Sequence, residues 1–225
     1  MTSIFTAGLD LRRHGLRLLR TVFPYLRDRG VGDLVLFGSN AMSVYLDNPL
    51  RTKDLDLVSS QYGPLHHASL REHILYAGIE VRSSTVQTKP LTHGDMTIYT
   101  LELRLDASPF FVEIFDRVLD GKPVSILGPY VQHVKKWDLE IWVPCLNAVV
   151  ALRLAFRQPE GINRFNATRL NTLIKKNENI IDPSTIGKII TEWDVCEMVR
   201  TNLESLRKTH RMRIAHQKEI LRSLD

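Results

Sequence analysis

One stretch constrains this chain more than any other. Residues 34 to 58 read LVLFGSNAMSVYLDNPLRTKDLDLV. The apolar run Leu34-Val35-Leu36-Phe37 has the length and composition of a buried strand. It ends at Gly38-Ser39-Asn40, after which Ala41, Val44 and Tyr45 recur at near-helical spacing until Asn48-Pro49. A second strand follows, Asp54-Leu55-Asp56-Leu57-Val58. On a strand Asp54 and Asp56 project from one face and Leu55 and Leu57 from the other, toward a core.

Two neighbouring carboxylates repel each other, and a divalent cation is the usual remedy. Oxygen ligands of this kind suit magnesium or manganese, the ions that accompany nucleotide phosphates. The Gly38-Ser39 turn before a helix offers backbone N–H groups and a positive helix end to phosphate. The plain alternative is a surface strand with two solvated aspartates.

A third acidic residue stands out downstream. Phe110-Phe111-Val112-Glu113-Ile114-Phe115-Asp116 places Glu113 inside an otherwise apolar strand. Such a residue needs a partner or a metal. Glu113 completes a three-carboxylate set if its strand lies beside that of Asp54 and Asp56. Asp116, at the strand end, competes for the place.

The remaining chain divides by pattern. Residues 8 to 29 read as a helix with Leu9, Leu16, Leu19, Val22, Phe23 and Leu26 on one side, although Gly15 and Pro24 weaken it. Residues 65 to 77 form a short helix with Leu65, Leu70, Ile74 and Leu75 as its apolar side and His66 and His67 at the surface. Strands follow at 79 to 86 and 96 to 103, and Val124, Ile126 and Leu127 suit one more edge strand. From Pro144, expected to open a helix, the pattern is helical: roughly 145 to 157, 165 to 177, a helix after Asp182-Pro183, and 196 to 223. The fold class is therefore α+β, a mixed sheet flanked by helices and then an all-helical C-terminal part. The expected division is residues 1–135 and 136–225.

Composition narrows the setting. The chain of 225 residues carries 44% hydrophobic and 24% charged residues, ordinary values for a globular protein. No apolar run approaches the roughly twenty residues of a membrane span. Asp10 and the lack of an apolar core argue against a secretory signal in the basic N-terminus; its arginines leave a transit peptide as a lesser reading. Cys145 and Cys196 lie among apolar residues, as expected of buried thiols in a reducing, cytoplasmic compartment. The formal charge is +5 and the pI about 9.3, with basic residues crowded at both ends. RNA or a nucleoside triphosphate is a compatible partner.

Gly38-Ser39 followed by Arg51-Thr52-Lys53-Asp54-Leu55-Asp56-Leu57 resembles the signature of the nucleotidyltransferase superfamily related to DNA polymerase beta. Its Arg-Thr-x-Asp-x-Asp form is most similar to small prokaryotic members, including toxins of the AbiEii kind. The resemblance implies a nucleotidyltransferase fold followed by a helical domain. It implies an NTP as co-substrate, Mg2+ or Mn2+ as cofactor, and transfer of a nucleoside monophosphate to a hydroxyl. Asp54, Asp56 and Glu113 would be the catalytic and metal-binding residues. Gly38, Ser39, Arg51, Lys53, Arg153 and Arg157 would contact the nucleotide. The acceptor implied is RNA, above all a tRNA end, with an antitoxin protein as a possible partner. A small hydroxylated molecule, a protein hydroxyl and a nucleotide-binding module without turnover stay open. The lysine and Lys-Asp elements of such toxins have no clear counterpart here.

Overall fold

The computed structural model describes residues 4–47, 52–106, 108–156 and 163–224, with side chains from residue 13 onward. The chain forms two compact units, Met1–Pro144 and Cys145–Asp225.

In the first unit, helix α1 (Ile4–Asp28) runs unbroken through Pro24. Leu18, Leu19, Val22, Phe23 and Leu26 are buried along one side, and this packing outweighs the local penalty of the proline. The apolar run after it yields only a two-residue strand, β1 (Val35–Leu36). Phe37 already serves as the N-cap of α2 (Gly38–Val44). Next come β2 (Asp54–Val58), α3 (Pro64–Tyr76), and three longer strands, β3 (Glu80–Lys89), β4 (Met96–Leu105) and β5 (Ser108–Phe115).

These strands make one five-stranded sheet in the order β1-β2-β5-β4-β3. β2 and β5 pair in parallel and the other neighbours are antiparallel. Leu55, Leu57, Val112, Ile114, Leu101 and Leu103 are buried, which assigns one face of the central strands to the core. α1 and α3 pack together, α1 also meeting β2 and α3 meeting β3.

Two expectations for α3 fail. Leu65 and Leu75 are exposed, whereas His67 is buried with Leu70 and Ile74. Its ring is satisfied on both sides: Nδ1 lies 3.1 Å from Tyr62 Oη and Nε2 lies 2.9 Å from Ser84 Oγ. Those partners come from a loop and a strand, so helix periodicity alone could not reveal them.

After β5 come β6 (Arg117–Val118) and β7 (Lys122–Pro123), a small antiparallel pair. Val124–Tyr130 then forms a 3₁₀ helix rather than the expected edge strand. A hairpin of β8 (Val131–Lys136) and β9 (Leu139–Pro144) closes the unit and packs its second strand on β1. Pro144 is the last residue of β9 and not a helix opener; Cys145 is the N-cap of the following helix.

The second unit is helical throughout its described length: α4 (Leu146–Leu154), α5 (Arg164–Lys176), α6 (Pro183–Glu192), α7 (Cys196–His210) and α8 (Gln217–Arg222). Asp182 caps α6, accepting a hydrogen bond from Ser184 N at 3.0 Å, with Pro183 in the first turn. The single terminal helix expected from 196 to 223 is two helices. Arg211 and His216 both take left-handed backbone angles, which interrupt the helix between them. Cys145 and Cys196 are free thiols and half-buried rather than fully buried. Among the described residues no helix is long and apolar enough to cross a membrane.

Candidate active site

The site is built at the junction of β1, α2 and β2. Phe37 N donates to Asp56 O at 2.9 Å, which pins the end of β1 to the middle of β2. The chain turns at Gly38, whose φ of +59° belongs to the left-handed region that glycine tolerates. A Cβ at this position would run into the Asp56 carboxyl group. The glycine is thus demanded twice, by its backbone angle and by its contact with Asp56. Asn40 adds a further tie, its Nδ2 donating to Asp54 O at 2.8 Å. Sequence reasoning did not single out Asn40; a polar amide just after the Gly-Ser turn was the available signal. Ser39 is half-buried in the first turn of α2, and its carbonyl accepts from Ser43 Oγ at 3.0 Å.

The parallel register of β2 and β5 brings in the third carboxylate. Asp54 lies opposite Phe111, and Asp56 lies opposite Glu113. On the other side of β5, Glu113 pairs with Thr100 of β4. With alternating side chains, Asp54, Asp56 and Glu113 share the face opposite the buried leucines. Asp54 is exposed, while Asp56 and Glu113 are half-buried. Burial raises the affinity of Glu113 for a proton, the charge of Asp54 raises it further, and Lys89 opposes both. Asp116 is occupied elsewhere: its Oδ1 accepts from Thr97 N at 2.7 Å.

Among the described residues no group of three or more His, Cys, Asp or Glu side chains is gathered closely enough to hold a metal ion. The donor set still fits a magnesium-like ion in a restricted way. Magnesium is commonly held by one or two carboxylates, with phosphate oxygens and water completing the shell. Two half-buried carboxylates in register, one with raised proton affinity, can supply such a partial set.

The other expected contacts are dispersed. Lys53 is exposed beside β2, and its carbonyl accepts from Phe111 N at 2.8 Å. Arg153 sits in the last turn of α4, in the second unit. Arg51 and Arg157 lie outside the described residues.

No family model matches the sequence, and no curated protein matches it either. Solved structures do. A candidate nucleotidyltransferase from H. pylori superposes with a TM-score of 0.50 at 12% identity, over 94% of this chain and 91% of the other. The fold is that of a nucleotidyltransferase. The antibiotic-resistance factor ANT(2'')-Ia supports the same assignment, with a TM-score of 0.51 at 10% identity over 89% of this chain and 98% of the other. The likeness to these structures is one of fold.

Proposed function

We propose that the protein transfers a nucleoside monophosphate from a nucleoside triphosphate to a hydroxyl group, releasing pyrophosphate. The observation that supports this most is the register of Asp56 against Glu113, beside a glycine turn packed onto the Asp56 carboxyl. The acceptor oxygen attacks the α-phosphorus, a new P–O bond forms, and the bond to the bridging oxygen of pyrophosphate breaks. Glu113, whose proton affinity is raised, takes the acceptor proton. Asp54, Asp56 and Glu113 would hold the cation that accompanies the triphosphate, and Gly38 and Ser39 would line the phosphate side. Lys53, with Arg51, offsets negative charge on the leaving group. Arg153 and Arg157 keep that role as a sequence-based assignment alone. A magnesium or manganese ion, when bound, supplies charge neutralisation and orientation for the phosphates.

The favoured acceptor is RNA, in keeping with the pI of about 9.3 and the basic residues of α1. A toxin role with a covering antitoxin is the narrower form of this proposal. The test is transfer from each α-labelled NTP to total cellular RNA, with magnesium or manganese, beside Asp56→Asn. Label on an RNA species that disappears in D56N is the expected result. Full activity in D56N would overturn the site. If RNA stays unlabelled while a small hydroxylated molecule or a protein is labelled, the acceptor changes and the chemistry stands. If no acceptor is labelled, the protein is a nucleotide-binding module.

A further inference from the structure

Helix α1 carries its charge on one line. Arg13, Arg17 and Arg20 are spaced by four and three residues, and each is exposed. Their angular positions fall opposite the buried side formed by Leu18, Leu19, Val22 and Leu26. They span about 10 Å along the helix at roughly 1.5 Å per residue. Arg27, on the same line, is already engaged: its Nη1 donates to Gly32 O at 2.6 Å and its guanidinium lies 5.3 Å from the Trp142 ring centre.

The β8–β9 hairpin borders the line. Arg20 Nη2 donates to Trp137 O at 3.2 Å and stands 3.6 Å from Asp138 Oδ2. The preceding residues of the hairpin are Lys135, exposed, and Lys136, whose ammonium lies 6.0 Å from the Trp137 ring centre. The acids set against α1 and the hairpin are Asp138, Glu140, which is paired with His133 at 3.1 Å, and Asp106, which lies 2.9 Å from His14 Nε2. Lys135, opposite Glu140 in the hairpin register, shares its strand face with His133, whereas Lys136 projects from the other face.

Like charges three and four residues apart weaken a helix by a few tenths of a kcal/mol per pair. Arg17 and Arg20 have no acidic residue at those spacings; Arg13 has Asp10 three places before it. Arg20 meets Asp138, and the exposed guanidinium groups of Arg13 and Arg17 are open to an external anion. Arginine is the side chain best shaped for phosphate oxygens.

We infer that the Arg13–Arg17–Arg20 line of α1 is the docking surface for the phosphate backbone of an RNA acceptor. This rests on the RNA-transfer reading above, but its binding test is separate. Phosphate contacts of this kind are sequence-independent and salt-dependent. Their role is to hold the acceptor on the first unit, with no part in the chemical step.

The test uses the full chain and unfractionated transfer RNA over a range of salt, with R13Q/R17Q/R20Q and R13K/R17K/R20K beside wild type. The glutamine variant should bind at least about tenfold more weakly, and its log–log salt slope should shrink by about 2 to 3, since each neutralised phosphate contributes roughly 0.7 to 0.9. The lysine variant should keep most of the affinity, and all three should melt at the same temperature. Unchanged binding by the glutamine variant would overturn the surface. So would equal loss in both variants, no tRNA binding by wild type at low salt, or binding to phosphatidylserine vesicles in place of tRNA. Failure of the transfer chemistry looks different: no NTP labels any acceptor, while tRNA binding and its loss in the glutamine variant persist.

Discussion

Gly38 and Asp56 are packed so closely that no side chain fits between them. The glycine's left-handed backbone angle and its contact with the carboxyl act at one point, where strand gives way to helix. Gly38→Ala therefore forces the turn and the Asp56 side chain apart. We expect a stability loss of about 1–3 kcal/mol and a fall in nucleotide transfer of at least about a hundredfold, since a misplacement of roughly 1 Å has that cost. Thermal melting and transfer kinetics on the same preparation check both.

Glu113 gives a prediction with a sign. Its proton affinity is raised above the ordinary 4.5 by burial, then by Asp54, with Lys89 opposing. The folded protein then binds more protons than the unfolded chain in the window above 4.5, and stability falls as pH rises through that window. Glu113→Gln removes the penalty. The variant should melt above wild type at pH 7, with the gap closing toward pH 4, while losing transfer. A variant that melts lower at pH 7 would contradict the burial argument.

If the proposed site takes a divalent ion, ligand binding should register as stability. Added magnesium or manganese with a nonhydrolysable NTP should raise the melting temperature of wild type by mass action. D56N should lose most of that shift. Calorimetric titration of the two proteins makes the comparison directly.

His67 acts in the opposite sense to Glu113. Burial lowers its affinity for a proton below the ordinary 6.5, and both ring nitrogens are used by Tyr62 and Ser84. The unfolded chain then binds the extra proton first, so stability is complete above 6.5 and declines as pH falls below it. His67→Phe should flatten that decline. It should also cost about 1–3 kcal/mol at pH 8, because hydroxyl groups lose their partner. Denaturant melts at pH 8 and pH 5.5 separate the two effects.

The helical unit carries a close contact of its own. A Cβ on Gly187 of α6 would collide with Ser223 beside the end of α8. Gly187→Ala should destabilise by about 1–3 kcal/mol despite its better helix propensity. Adding Ser223→Gly should recover part of the loss, a coupling that a double-mutant cycle measures.

Much of the site is written locally. The Gly38-Ser39 turn, the Asp54-Leu55-Asp56 alternation and the acidic interruption at Glu113 are all one-dimensional patterns. Each follows from period-two side-chain geometry or from the conformations open to glycine. The α+β order and the helical second part are legible for the same reason, since long periodic segments announce themselves. The misreadings occur where short segments take their conformation from distant neighbours. The β8–β9 hairpin, which local pattern left unassigned, packs its second strand on β1, and Val124–Tyr130 winds into a 3₁₀ helix between two strand pairs. Leu65 is exposed and His67 buried because α3 meets β3 with a rotation that its own pattern does not specify.

By itself, the sequence determined which residues can share a face: Asp54 with Asp56, and Leu55 with Leu57. It also determined that Gly38 must turn the chain. Only the tertiary structure decided that Asp56 stands opposite Glu113, that Asp116 instead holds Thr97, and that His67 is buried between Tyr62 and Ser84. The physical reason is separation along the chain. Side-chain alternation is a property of one strand, whereas parallel register between residues 56 and 113 is set by the packing of the whole core around them.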